Sequence, residues 1–139
     1  MKIGLTISGM VLFVVSFFLP AYYNIPGYEC AQIVLTDIWG DESDQRNRFL
    51  VSVYYLAFNF SNGLMLALPV LLLIRFRAKP VPLWMVGIQF VLLLHVLSWP
   101  VIHLVESVEE FQEIKVGYYL WLLSMCLILV ASVLSRRQN

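Results

Sequence analysis

Four long apolar runs constrain the fold of this sequence more than any other feature. They cover approximately residues 3–20, 49–74, 83–102 and 118–134. An α-helix of about 20 residues crosses the roughly 30 Å hydrocarbon core of a bilayer, and it satisfies its own backbone hydrogen bonds where water is absent. The runs therefore predict an all-α integral membrane protein, with residues 1–139 forming a single four-transmembrane-helix bundle.

Composition supports a membrane protein over a soluble one. Charged residues make up 13% of the chain, about half of the roughly 25% that is typical of soluble domains. The formal net charge is zero, and no basic stripe interleaved with aromatic residues is present. These features predict that the bilayer is the first partner of the chain, and they argue against nucleic-acid binding.

The distribution of charge predicts an orientation. With both termini cytoplasmic, six of the nine basic residues are inside, at the termini and in the inner loop 75–82. All nine acidic residues then lie in the outer loops 21–48 and 103–117. Basic residues in short flanking segments stay on the cytoplasmic side. The pattern predicts an N-in, C-in protein with acidic outer loops, and the short basic turn suits a bacterial inner membrane.

The first outer loop is long and rich in aromatic residues. It begins with a turn sequence at residues 24–27 and continues with apolar residues among polar ones, which predicts either an interfacial helix or a strand-like flap. Aromatic side chains concentrate at the membrane interface. We expect the loop to bind a partner through Tyr22, Tyr23, Tyr28 and Trp39.

The second outer loop carries a cluster of glutamates, Glu106, Glu109, Glu110 and Glu113. A solvated helix end is the simpler interpretation of such a charge run, and contact with a cationic partner is the alternative. His103 shares a helix face with two of these acids, but a single His-x-x-Glu is the reverse of the repeated Glu-x-x-His di-iron pattern. We therefore expect no metal site.

Polar residues inside the apolar runs are the candidates for intramembrane function. None of them is Asp, Glu, Lys or Arg, which argues against an acid-based proton relay. The remaining candidates are Asn59, Asn62, Gln89 and His95. A hydrogen bond between Asn59 and His95 is expected to hold the second span against the third. The alternative is that these residues line a ligand site.

Sequence motifs give no indication of catalysis. The chain has no Gly-x-Ser-x-Gly, no phosphate-binding loop and no CxxC motif. Cys30 and Cys126 are expected to remain unbridged, because one lies in an outer loop and the other within the last span. Small residues spaced four apart, at Gly4 and Ser8 and at Ala131 and Ser135, predict close helix packing.

These observations favour a non-enzymatic interaction protein without cofactors or catalytic residues. We expect an accessory subunit or an immunity-type protein that binds another membrane or extracytoplasmic protein, with a homo-oligomer as an open alternative. A second hypothesis comes from another functional class. It is a small-molecule or lipid-binding or transport bundle, with a polar lining around Asn59 and His95.

Overall fold

A computed structural model describes residues 2–37, 45–74, 80–106 and 108–137. For residues 37, 45–51, 103, 106, 110 and 137 it describes the backbone and not the side chain. These residues are mostly helical. The elements in chain order are α1 Lys2–Phe18, β1 Pro20–Tyr22, β2 Ile25–Pro26, α2 Gly27–Asp37, α3 Gln45–Ile74, α4 Leu83–Glu106, α5 Val108–Gln112 and α6 Val116–Arg137.

Three helices are long and apolar enough to cross a membrane. The qualifying segments are Ser52–Ile74, Leu83–Ile102 and Val116–Arg136, which confirms that the last three predicted runs form helices of membrane-spanning length and hydropathy. Helix α1 is a shorter apolar helix of 17 residues. It ends two residues before Pro20, whose ring fixes φ and removes the backbone donor that a continuing helix needs; the chain enters β1 there instead.

Helices α1 and α6 lie antiparallel along a seam of small side chains. Gly9 allows the closest approach, since a Cβ at this position would lie 2.7 Å from Ile128 Cδ1 and 3.3 Å from the Ser124 carbonyl oxygen. Gly4 and Ser8, whose spacing predicts close helix packing, are both exposed, whereas Ala131 and Ser135 are buried. The face of α1 that packs inward instead contains the buried residues Lys2, Thr6, Gly9, Phe13 and Ser16, which alternate by four and three positions.

One end of the bundle is closed by a β-hairpin, and we call it the hairpin end. Strands β1 and β2 pair antiparallel, and Tyr22 also forms a bridge to Ile114. The Tyr23 amide donates to the Glu113 carbonyl at 2.8 Å, and the Lys115 amide donates to the Ala21 carbonyl at 2.9 Å. The two segments predicted to be outer loops thus meet at the same end.

The start of α1, the end of α6 and the residues just before α4 meet at the opposite end. Lys2 Nζ donates to Ser135 Oγ at 3.4 Å, and Arg136 Nη1 donates to the Val81 carbonyl at 2.9 Å. The first and last helices are therefore fastened near both ends. Residues 38–44 and 75–79 of the predicted loops lie outside the described part of the chain.

The predicted loop structure at residues 21–48 takes both forms that the sequence allowed. The strand-like segment is the β1–β2 hairpin, and the helix is α2, which packs mainly on α3. The following helix, α3, begins at Gln45 rather than at the predicted position 49. The apolar core below the hairpin end includes Leu68, Leu72, Val96 and Ile128, all fully buried.

Candidate functional site

An apolar cavity of about 250 Å³ lies at the hairpin end, between α1, α2, α3 and α6. Its main feature is a lining of aromatic rings, and we call it the aromatic cavity. The rings are contributed by Phe17, Tyr22, Tyr55, Phe58, Trp99, Tyr118 and Trp121. They come from β1 and from four helices, so the cavity depends on the tertiary packing of the bundle.

Helix α2 covers the aromatic cavity with one face. Gly27, Cys30, Ala31 and Val34 line the cavity, and their spacing places them on one side of the helix. Gly27 fixes the start of α2 against α1: its amide donates to the Leu19 carbonyl at 3.0 Å. A Cβ on Gly27 would lie 2.6 Å from the Ser16 carbonyl oxygen, so this close approach requires glycine.

Phe58 is the centre of the aromatic contacts. Its ring stacks on Trp121 with centroids 5.6 Å apart and an interplanar angle of 23°. It meets Trp99 edge-on with centroids 5.9 Å apart. Tyr54 stacks on the other side of the cluster, with its ring centroid 6.0 Å from that of Trp99. Aromatic pairs of this kind contribute about 0.5–1.5 kcal/mol beyond their buried area, so the rings hold one another in place.

Most polar groups in the cavity lining are already satisfied by the protein. Ser16 Oγ donates to the Phe13 carbonyl at 2.6 Å, and the Tyr118 hydroxyl donates to the Val96 carbonyl. Cys30 Sγ donates to the Ile25 carbonyl at 3.8 Å. Burial is the main cause of the raised pKa of the Cys30 thiol. These groups therefore offer little hydrogen-bonding capacity to a ligand.

Asn62 differs from the other polar residues of the lining. Its half-buried side-chain amide makes no hydrogen bond to any residue that the structure describes. The indole N–H of Trp121 is buried and likewise has no partner within the described residues. An unpaired buried polar group costs about 1–3 kcal/mol. This cost applies to the buried Trp121 N–H, whereas the half-buried Asn62 offers a donor and an acceptor that a ligand can reach.

The predicted hydrogen bond between Asn59 and His95 is wrong. Asn59 Nδ2 donates instead to the Val34 carbonyl at 3.4 Å, in the last turn of α2, where carbonyls lack an intrahelical donor. His95 Nε2 lies 3.2 Å from the Tyr54 carbonyl oxygen. The reason is geometric: Tyr54 and Phe58 face α4, whereas Asn59 is rotated by about 100° around α3 and faces α2.

The four intramembrane candidates do not form one polar site. Asn62 lines the aromatic cavity, and Asn59 holds the helix that covers it. His95 packs behind the lining, with its ring centroid 5.1 Å from that of Phe58. Gln89 is buried elsewhere in the bundle, where its Nε2 donates to Ser132 Oγ at 3.2 Å and its Oε1 has no partner among the described residues.

The aromatic residues predicted to bind a partner divide into two groups. Tyr22 belongs to the cavity lining, with its ring centroid 6.0 Å from that of Trp99. Tyr23 and Tyr28 are 45% and 47% exposed at the hairpin end. The Tyr28 hydroxyl donates to Glu29 Oε1 at 2.9 Å, and this bond raises the pKa of Tyr28. Trp39 lies outside the described residues.

The acidic candidates of the second loop are only partly described. Glu109 is exposed, and Glu113 forms an ion pair with Lys115 at 3.0 Å. The side chains of Glu106 and Glu110 lie outside the description, as does that of His103. The predicted contact of these acids with a cationic partner stays a prediction.

Tyr22 and Asn62 are candidates from the sequence that line the aromatic cavity, whereas most of the other lining residues are not among those candidates. A signal was present, since Phe17, Trp99, Tyr118 and Trp121 all lie within about two turns of the predicted outer ends of their helices. That signal also fits ordinary interfacial anchoring. Only the packing of α1, α3, α4 and α6 shows that these rings converge.

No protein-family model, curated protein or solved structure matches this chain. Its function is therefore inferred from the chemistry of the aromatic cavity. None of the described residues that line it is Asp, Glu, Lys, Arg or His. Apolar contact, ring stacking and hydrogen bonding at Asn62 are the interactions that this lining offers, and they suit a neutral ligand.

Proposed function

We propose that this chain is a membrane protein with four transmembrane helices that binds a neutral apolar molecule in the aromatic cavity and does not transform it chemically. The observation that carries the proposal is the cavity of about 250 Å³, lined by seven aromatic rings and covered by α2. Ligand sites are typically concave, mostly apolar and equipped with a few polar groups that fix orientation. The aromatic cavity has these properties.

The proposal includes α1 as the fourth span. Its contacts with α6 extend from Lys2 beside Ser135 to the Leu19 carbonyl, which lies close to Gly117. A helix of 17 residues is about 25 Å long and lies at the lower limit for a transmembrane helix. Helix α6 is long enough to cross the membrane, and its partner along nearly this whole length is α1.

The charges of the described residues support an orientation with both termini in the cytoplasm. Glu29, Glu109 and Glu113 lie toward the hairpin end together with one basic residue, Lys115, whereas Lys2 and Arg136 lie at the opposite end. Basic flanks stay cytoplasmic, so we propose that the hairpin end faces outward. We also propose a bacterial inner membrane as the location, because of the short basic turn in the inner loop.

Single cysteines test this orientation in a variant that lacks Cys30 and Cys126. Asn24→Cys places an exposed thiol beyond the hairpin end of α1, and Gly4→Cys places one in the first turn of α1, near its other end. On intact bacterial cells, a membrane-impermeant maleimide should label position 24 at once and position 4 only after permeabilisation. Labelling of both positions on intact cells would show that α1 does not cross the membrane.

A filled-cavity variant tests ligand binding. Ala31 lines the aromatic cavity, so Ala31→Phe should occupy its space, whereas Ala67→Phe adds the same ring at an exposed position of α3. The probe is 1-bromonaphthalene, which quenches tryptophan fluorescence at contact. Trp84 is replaced by Phe because it is 65% exposed and would report nonspecific contact.

We expect saturable quenching in the parent protein and in Ala67→Phe, and its loss in Ala31→Phe. Trp99 and Trp121 line the cavity, so a bound probe lies beside two indoles. Quenching that is equally strong in all three proteins, or that never saturates, would mean that the probe only partitions into detergent. The binding proposal would then fail.

A protein partner is the second candidate function, and one observation favours it. Tyr23 and Tyr28 are about half exposed at the hairpin end, and interfaces are enriched in exposed tyrosine. Native mass spectrometry of protein extracted gently from its host membrane compares the two candidates. A stoichiometric protein partner that is lost in Tyr23→Ala or Tyr28→Ala supports the interface, and a chain that carries only a small molecule supports the cavity.

A further inference from the structure

We infer that the ligand of the aromatic cavity is a neutral compound of about two fused aromatic rings, with one hydrogen-bonding group that meets Asn62. This inference rests on the proposed binding function and specifies the ligand class. Three observations carry it: the volume of the cavity, the rings in its lining, and the unpaired amide of Asn62.

The volume sets the size of the ligand. An apolar cavity of about 150 Å³ in a protein core accepts benzene. The aromatic cavity is larger, at about 250 Å³, and therefore admits a second ring. Helix α2 and the hairpin line one side of it and the cavity is only half enclosed, so a much longer molecule would extend out of it.

The bilayer environment decides between an aromatic ligand and a plain hydrocarbon chain. Lipid tails are as apolar as the cavity lining, so a hydrocarbon chain gains no hydrophobic free energy when it leaves the bilayer for the protein. Binding from a membrane must therefore come from interactions that lipid does not offer. Stacking on Phe58 and the two lining tryptophans is one such interaction.

Hydrogen bonding to Asn62 is the other interaction that lipid tails do not offer. Asn62 follows Phe58 by one turn of α3, so it lies about 6 Å further from the hairpin end. Its amide donates and accepts, and it fits a hydroxyl, a carbonyl or an N–H group. Apart from tyrosine and cysteine, the lining has no ionisable residue, and so nothing in it would balance a formal charge on the ligand. The ligand is therefore neutral.

A matched pair of probes tests the ligand class. Naphthalene and 1-naphthol have the same ring system, and only 1-naphthol can hydrogen-bond. Each competes with 1-bromonaphthalene for the detergent-solubilised protein, and the concentrations are corrected for partition into detergent. We expect 1-naphthol to bind about tenfold more tightly, which is the upper end of what one net hydrogen bond contributes.

Asn62→Leu should abolish the preference for 1-naphthol over naphthalene, and far-UV circular dichroism shows whether the variant is folded. Ala67→Phe should keep the preference. Equal affinity of the two probes for the parent protein would overturn the inference, and this comparison decides even if Asn62→Leu does not fold. A preference that survives in folded Asn62→Leu would also overturn it.

A lipid chain is the competing occupant. Phosphatidylcholine with brominated chains, reconstituted with the protein, should quench Trp99 and Trp121 no more in the parent protein than in Ala31→Phe. Quenching that Ala31→Phe removes would assign the cavity to an acyl chain, and it would overturn the aromatic class while leaving apolar binding intact. If 1-bromonaphthalene itself shows no saturable binding, the proposed function fails together with the inference.

Discussion

Gly9 of α1 faces Ile128 of α6 so closely that a Cβ at position 9 would lie 2.7 Å from Ile128 Cδ1. The Ser124 carbonyl oxygen would lie 3.3 Å from the same Cβ. The two helices therefore approach each other at a position where one of them has no side chain. In lipid, such van der Waals contact replaces the hydrophobic drive that packs helices in water.

Gly9→Leu should separate α1 from α6. Inserting a side chain into a filled interface costs about 1–3 kcal/mol, and we expect a loss of this size in the free energy of unfolding. The measurement is denaturant unfolding in detergent. Gly4→Leu is the matched control on the same helix, because nothing lies within 4 Å of a Cβ there. Equal stability of the two variants would show that α1 does not pack through Gly9.

The helices themselves follow from the sequence, because long apolar runs determine membrane spans almost alone. The packing face of α1 does not. Small residues at Gly4 and Ser8 have the same spacing as a packing motif, but only the rotation of α1 about its axis decides which small residue meets α6. The buried positions of α1 are 2, 6, 9, 13 and 16, which are spaced alternately by four and three residues. This spacing places Gly9, and neither Gly4 nor Ser8, on the buried face.

The candidate site was predictable only in part. Asn62 and Tyr22 stood out as a polar residue in an apolar run and as an aromatic residue in a loop. The role of Asn59 was not predictable, because its partner is a backbone carbonyl at the end of α2. Every residue has such a carbonyl, so the sequence does not indicate which one Asn59 contacts. Phe58 is one of nine phenylalanines, and nothing local distinguishes it from a lipid-facing one.

Gly117→Ala should disrupt both the hairpin end and ligand binding. A Cβ at position 117 would lie 2.6 Å from the Pro20 carbonyl oxygen and 2.7 Å from the Leu19 carbonyl oxygen. A backbone oxygen cannot change rotamer to relieve this clash, so the chain itself must shift. The Leu19 carbonyl also accepts the hydrogen bond that fixes Gly27 at the start of α2, so its displacement disturbs the cover of the cavity.

We expect Gly117→Ala to lose about 2 kcal/mol of stability, within the range of overpacked positions, together with saturable quenching by 1-bromonaphthalene. Thermal unfolding and the quenching titration measure the two effects. Gly87→Ala, where nothing lies within 4 Å of a Cβ, should be neutral. Normal ligand binding in Gly117→Ala would mean that the Leu19 to Gly27 bond does not govern the cavity.

Asn59→Ala should loosen α2 without unfolding the bundle. Its bond to the Val34 carbonyl is long, at 3.4 Å, so its loss should cost about 0.5–1 kcal/mol. Amide hydrogen exchange in α2 should then be about two- to fivefold faster, while exchange in α6 stays unchanged. Asn62→Ala serves as the control, since Asn62 has no hydrogen bond to the described part of α2. Unchanged exchange in Asn59→Ala would show that other contacts hold α2 in place.

Alkylation of Cys30 reports on both the burial and the occupancy of the aromatic cavity. Burial raises the pKa of Cys30 above that of an ordinary thiol, and only the thiolate reacts. At pH 7.5 the thiolate fraction is therefore lower than for a free thiol, and the alkylation rate should still rise about tenfold per pH unit where free thiols level off, near pH 8.5–9. Iodoacetamide labelling of a Cys126→Ala protein, with glutathione as the reference thiol, measures this profile.

Bound 1-naphthol should slow the reaction at every pH, because Cys30 lines the space that the ligand fills. A rate that levels off with that of glutathione would show an exposed thiol, and a rate that is indifferent to 1-naphthol would place the ligand elsewhere.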